Sequence, residues 1–224
     1  MTSTRPRGRP PRISRRDIAE AVAQIGLGAV TMQSVAQRLG VSAAALYHHV
    51  SGREDLLRLA CEEMLTEAAT DVGNDGHWSI QLRHWAIGIR AMLAANPMLI
   101  ELNVNGVIGD DRQMPAFGRL VDNLVRQGFT VEAAMAAVET AGAIATGSAI
   151  HDIQEAREAA GGRTWPQRVY AMLSRASDGG STALLALAGK GHSPASDSSF
   201  EARLRIALTG IAVVNGFSLD EISP

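Results

Sequence analysis

Aromatic residues make up only 4% of this 224-residue chain, which also has a single cysteine and, among 21 basic residues, a single lysine. Few aromatics argue against a β-sandwich and for helices packed through Ala and Leu. One thiol, Cys61, excludes an internal disulfide framework and suits a reducing, cytoplasmic compartment. Set mid-helix among apolar neighbours, it reads as a small buried hydrophobe rather than a redox sensor. No apolar run reaches the roughly 18 residues of a membrane span, because charges and polar groups interrupt each one. The N-terminus is basic but lacks the apolar segment of a signal peptide. His77/His84 and His151-Asp152 do not form a metal-binding spacing, since no second pair sits at i, i+4. Cys61, Ser148 and the scattered histidines form no nucleophile or acid/base signature. No metal, cofactor, membrane association or enzymatic reaction is therefore expected.

What is present in quantity is positive charge at one end. Six arginines and no acid lie between Arg5 and Arg16. Residues 1–60 hold nine arginines and four acids, so with a total charge of -2 the +5 there leaves -7 for the rest. Such asymmetry suits a polyanion-binding head on a body that does not touch the polyanion. Hydrophobic residues at 46% with 20% charged ones are ordinary for a folded globular chain.

Residues 1–12, MTSTRPRGRPPR, read as a flexible basic arm. Ser14 with Asp17 forms a capping box for a first helix, whose buried stripe is Ile18, Ala21, Val22 and Ile25. Thr31 caps a second helix with Met32, Val35, Ala36 and Leu39 inward. Ser42 caps a third with Leu46 and Val50 inward, and Ser51 with Glu54 suggests a capping box for a fourth. Further helices are expected at 78–95, after Asn96-Pro97, from Met114 or Pro115 to 127, at 130–160, 166–176, around 182–188, and from a Ser198/Glu201 box to about 215. β-alternation and repeats are missing, so the chain is expected to be all-α with nine to ten helices. A flexible arm (1–12), a head (13–57) and a larger regulatory and dimerisation body (58–224) divide it.

Residues 31–57, TMQSVAQRLGVSAAALYHHVSGREDLL, have the parts of a helix-turn-helix: a short amphipathic helix, a Leu39-Gly40-Val41 turn and a second helix opened by Ser42. In that motif the second helix enters the DNA major groove. The segment resembles the DNA-binding domain of the TetR (tetracycline-repressor-like) family, through T-M-x-x-V-A, L-G-V-S, L-Y-H-H-V and S-G-R-E-D-L-L. The resemblance is specific over about residues 13–65 and only architectural beyond. Two positions depart from it: Val50 replaces a usual aromatic, and Arg53 a usual lysine.

Phosphates are held by hydroxyls, helix N-terminal amides and cations. Thr31 and Ser42 stand at helix starts and can serve both as caps and as phosphate contacts. The resemblance implies backbone contacts for Tyr47 and His48, a phosphate contact for Arg53, and base-edge positions for Ser42, Ala43, Ala44 and His48. His49 reads as structural. Alanines touch thymine methyls but donate no hydrogen bond, so base readout looks sparse. Gln33, with Gln37, is placed near the groove rim. Arg7-Gly8-Arg9-Pro10 resembles the R-G-R-P core of an AT-hook, which would set Arg7 and Arg9 in a narrow minor groove; a generic basic tail is the plainer reading.

In the body, the helix at 130–160 is dense in Ala and Gly, and the one at 199–215 carries Leu204, Ile206, Leu208, Ile211 and Val214, more apolar surface than one face needs. Both are expected in a two-fold four-helix interface, as the resemblance implies. It also implies a small-molecule pocket in the middle helices, for which Trp78, Trp85, Met92, Met98, Asn103, Met114 and His151 are candidates, although each taken singly also reads as core. The expected function is a homodimeric, sequence-specific DNA-binding regulator, a repressor released from a palindromic operator by a small amphipathic ligand. The alternative is a constitutive or protein-switched DNA-binding regulator.

Overall fold

Hydroxyl side chains set where most of the helices begin. In the computed structural model, which describes residues 13–70, 76–106, 115–173, 175 and 181–222, Ser14, Thr31, Ser42, Thr130, Ser181 and Ser196 each accept a hydrogen bond from a first-turn backbone N–H. Such caps satisfy amides that the helix itself leaves unpaired. The described residues hold eleven α-helices, one or two more than the expected total, with no strand: α1 (Arg15–Ile25), α2 (Met32–Leu39), α3 (Ala43–Leu46), α4 (Arg53–Thr70), α5 (Trp78–Ala95), α6 (Met98–Val104), α7 (Pro115–Arg126), α8 (Val131–Ala160), α9 (Trp165–Leu173), α10 (Thr182–Gly189) and α11 (Asp197–Asn215). A short 3₁₀ turn, Leu219–Glu221, follows. The chain separates into two compact units, one through Glu63 and one from Met64 onward.

The first unit is a small apolar core under three short helices. Ile18, Val22, Val30, Val35, Leu46, Val50, Leu56 and Leu57 are all at or below 3% exposure. Both halves of the Ser14–Asp17 capping box are made, which holds the Asp17 carboxyl below its usual range. Gly40 sits at φ +66, where a side chain would be strained, and Gly40 and Val41 return N–H groups to Gln37 and Ala36. That left-handed stop is what turns α2 into α3. At the head of α4 the sequence expectation is corrected by one residue. Ser51 gives its backbone N–H (2.8 Å) and its hydroxyl (3.0 Å) to Asp55, not to Glu54. These bonds pull the Asp55 carboxyl down as well. Cys61 is 1% exposed, and burial pushes its thiol up to about 12, so it is an inert core group.

In the second unit α8 packs along α5, with α7 and α11 on its other sides, while α9 pairs with α10. Ala134, Ala137, Val138, Ala141, Ala145 and Ala149 form the buried stripe of α8. Their small size lets the neighbours approach closely. The same residues make α8 long and apolar enough to cross a membrane by length and composition alone, contrary to the reading that polar residues interrupt every such run; here 39% of that window is buried in the protein. A second correction concerns α11, which begins two residues earlier than the Ser198/Glu201 box suggests. Ser196 is the cap and bonds Ser199, and Glu201 instead faces Arg83 of α5.

Candidate functional site

In the first unit, the turn and short third helix place a run of side chains on the surface. Ser42, Ala44, Tyr47 and His48 are exposed, and Ala43 and His49 are half-buried. Tyr47 is 58% exposed, so its ring lies mostly outside the core. Only Ala43–Leu46 is regular helix, ending before Val50, which the sequence places on its inner side. Leu46 and Val50 turn inward and hold the following residues as a turn, with His49 and Val50 both donating N–H to the Leu46 carbonyl. Thr31 and Gln33 are exposed at the start of α2. The Thr31 hydroxyl accepts from Ser34 N–H at 3.0 Å, and Ser42 from Ala45 N–H at 3.2 Å. The Ser42 hydroxyl keeps a hydrogen to donate to a phosphate, whereas the Thr31 hydroxyl gives its hydrogen to Ser34 Oγ at 3.1 Å and has to turn from that bond to reach one.

Among the described residues, the cations of this unit are engaged. Arg53 is exposed, yet its Nε donates to the Val30 carbonyl (3.0 Å) and an Nη to the Leu27 carbonyl (3.4 Å). It therefore braces the loop that presents Thr31, and two of its five N–H donors are already used. Arg38 donates to Gln24 on α1. Arg15 and Arg16 face Glu62 and Glu63, each at 3.7 Å, and Arg58 faces Asp55 at 2.8 Å. Sequence reading gave no weight to Arg38, because its partner is fixed by packing. Arg7 and Arg9 lie outside the described residues, as does Met114.

None of the other proposed ligand residues lines the cleft described below. Trp78, 1% exposed, is boxed by His77, Phe129 and Phe217 at ring distances of 5.2–5.5 Å, and its N–H is held by Gln127 at 2.7 Å through the backbone. That is core packing. Trp85, 5% exposed, meets Phe117 of α7 edge-on at 6.2 Å. Met92 and Met98 are half-buried, and Asn103 is exposed on α6. His151 on α8 is half-buried, and desolvation, aided by Arg203, holds its pKa below the usual value. It stays a neutral imidazole at neutral pH.

A cleft of about 390 Å³ opens instead among α5, α8 and α11, lined by Ile87, Arg90, Ala91, Asp152, Asp197, Phe200 and Glu201. Arg90 is the one cation of this lining. It binds Asp152 through two 2.8 Å bonds, Asp197 at 2.8 Å and the Ala195 carbonyl at 2.7 Å, and its guanidinium lies 4.8 Å from the Phe200 ring centre. Asp152 raises the Arg90 pKa above its usual value. Arg83 makes a similar two-point pair with Glu201 at 3.0 and 2.8 Å. Both arginines are thus paired with carboxylates, two for Arg90 and one for Arg83. Of these residues only Asp152, as His151's neighbour, and Glu201, as a helix cap, were singled out beforehand; the available signal was two arginines seven residues apart, the only Arg, Lys, Asp or Glu residues of α5.

Comparison with known proteins agrees with both units. Residues 16–60 match the model of "Bacterial regulatory proteins, tetR family", and residues 72–215 match "Tetracyclin repressor-like, C-terminal domain". No protein of curated function matches in sequence. Among solved structures, apo ActR from Streptomyces coelicolor is similar, with TM-score 0.72 and 26% identity over 93% of this chain and 98% of that one. ActR in complex with actinorhodin gives 0.69 and 25%, over 92% and 98%. In fold alone, a TetR variant from Acinetobacter baumannii in complex with minocycline is also similar, at 0.56 and 19%, over 90% and 95%. With the helix-turn-helix surface on α2 and α3 and the matching helical body behind these figures, the chain belongs to the TetR family of bacterial DNA-binding transcriptional regulators.

Proposed function

We propose that the protein works as a homodimeric repressor, held on a palindromic operator through Thr31, Ser42, Ala43, Ala44, Tyr47 and His48 and released by a small molecule bound in its body. The observation behind this reading is that α11 has two apolar faces. Phe200, Leu204, Leu208 and Ala212 are buried within the chain, while Ile206, Val213 and Val214 are 73, 62 and 84% exposed on the other side. Gly210 lies between them, and a Cβ built there meets nothing within 4 Å. Glycine inside a helix costs about 1 kcal/mol relative to alanine, and nothing in this chain needs the space. A partner helix does. On α8, exposed Ala136, Ala143 and Ile150 continue the pattern, with Gly147 equally free of neighbours. Two copies paired through α8 and α11 present two heads to half-sites about one DNA turn apart.

Relatives solved with actinorhodin and minocycline support a small-molecule effector in the body. Such a ligand shifts the protein between DNA-binding and released states only by its difference in affinity for them. Light scattering is expected to give twice the chain mass. In fluorescence-anisotropy titrations, a palindromic fragment from beside the coding region binds, with Arg7→Ala/Arg9→Ala flattening log K against log salt by about 2. A melting screen is expected to find compounds that stabilise by about 2.7 kcal/mol at 100 Kd and release that fragment. A monomer, or DNA binding indifferent to every stabilising compound, overturns the respective half of the reading; the latter leaves a constitutive or protein-switched regulator.

A further inference from the structure

The ligand-released reading leaves the effector's chemistry open, and polar atoms inside the body bear on it. Trp78, Gln81 and Trp85 sit on one side of α5, are 1, 1 and 5% exposed, and each has a buried polar atom without a hydrogen-bond partner: the two indole N–H groups and Gln81 Oε1. A buried donor or acceptor left unmade is costly, so each calls for an explanation. For Trp78 the surrounding rings of His77, Phe129 and Phe217 supply one, since an N–H can rest against an aromatic face. Among the described residues Trp85 has one such ring contact, with Phe117 at 6.2 Å, and Gln81 has none. The Gln81 amide nitrogen donates to the Gly76 carbonyl at 2.6 Å, so its orientation is fixed and its unmet end is an acceptor. Trp85 offers a donor one turn further on, roughly 6 Å along the axis, beside the half-buried Phe117 ring. The ionic groups of the same helix are spoken for. Arg83 and Arg90 are paired with Glu201, Asp152 and Asp197, so α5 has no arginine left to balance an ionised ligand.

We propose that Gln81 and Trp85 are the groups that read the effector, and that the effector is an uncharged, flat aromatic molecule. It accepts a hydrogen bond from the Trp85 indole N–H, donates one to Gln81 Oε1, and lies against the Trp85–Phe117 pair. This assignment rests on the ligand-released reading above.

Three tricyclic probes of one shape test it on the full-length protein: acridone, with a ring carbonyl and N–H; xanthone, with the carbonyl alone; and xanthene, with neither. Calorimetry is expected to rank them in that order, about tenfold apart at each step. Trp85→Phe abolishes the xanthone–xanthene difference, and Gln81→Met the acridone–xanthone difference. In ¹⁵N spectra of the unsubstituted protein, acridone shifts the Trp85 indole resonance more than those of Trp78 and Trp165, a readout that stands even where a variant folds poorly. Equal affinities, a ranking that survives Trp85→Phe, or a shift confined to Trp78 or Trp165 overturns the assignment. If none of the three binds while a charged compound releases DNA, this chemistry is wrong and the ligand-released reading stands. If no compound of any kind releases DNA, both fall.

Discussion

The head and the body of this regulator are held together at different ranges along the chain. In the head, polar contacts are mainly local: Ser14 with Asp17, Thr31 with Ser34, Ser42 with Ala45, Ser51 with Asp55, all within four residues. In the body they join distant helices: Arg90 to Asp152 and Asp197, Arg83 to Glu201, and Arg203 to Ser148 and the Pro194 carbonyl. A head built of short helices with local caps, braced by Arg38 and Arg53, fixes the exposed residues proposed to read DNA. A body cross-linked between α5, α8 and α11 couples any change on α5 to the helices proposed to pair two copies. Exposed pairs of the head are worth little individually, whereas Arg90, with 13% of its side chain accessible, is a different case.

That contrast predicts its own largest test. Arg90→Leu strands the Asp152 carboxylate, 22% exposed, and is expected to destabilise the body by about 3 kcal/mol in denaturant titrations; a loss below about 1 kcal/mol would put Arg90 with the weak surface pairs. Next comes Thr31→Ala, expected to cost about 1 kcal/mol through the lost cap. It should also weaken operator binding about tenfold, a loss of one charge-assisted contact; unchanged DNA affinity would leave Thr31 a cap alone. Gly210→Ala sharpens the comparison through opposite signs. It should stabilise the α11 helix by up to about 1 kcal/mol while weakening the dimer in sedimentation equilibrium, and a tighter dimer would remove Gly210 from the interface. The smallest effect concerns pH. His151 has a lowered folded pKa, so the unfolded chain binds the proton more readily. Its contribution is complete above the unfolded value of about 6.5 and is lost as pH falls below it. His151→Gln should flatten the stability profile between pH 7 and 5, and an unaltered slope would assign the dependence elsewhere.

The same difference in range explains what could be read in advance. Ser14, Thr31, Ser42 and Thr130 were legible as caps because a cap and its amide are three residues apart, and Gly40 because a tight turn needs its backbone freedom. Even there the Ser51 box slipped from Glu54 to Asp55, since either carboxylate reaches. The surroundings of the individual tryptophans were not legible. Trp78 and Trp85 look alike as apolar residues of one helix stripe, and both keep an unmet indole donor, yet one is enclosed by three rings and the other meets Phe117 alone. Ile206 and Leu208 are likewise indistinguishable by composition, but only the first faces outward.

Sequence alone thus determined the all-helical class and most of the helix starts, because caps, turns and amphipathic stripes are decided by neighbours within one or two helical turns. Tertiary structure alone decided that Arg90 closes the cleft among three helices, that Glu201 serves Arg83 rather than its own helix end, and which apolar side chains α11 leaves uncovered. Those outcomes depend on which residues, 60 to 120 positions apart, packing brings within hydrogen-bond distance, and no local pattern encodes that choice.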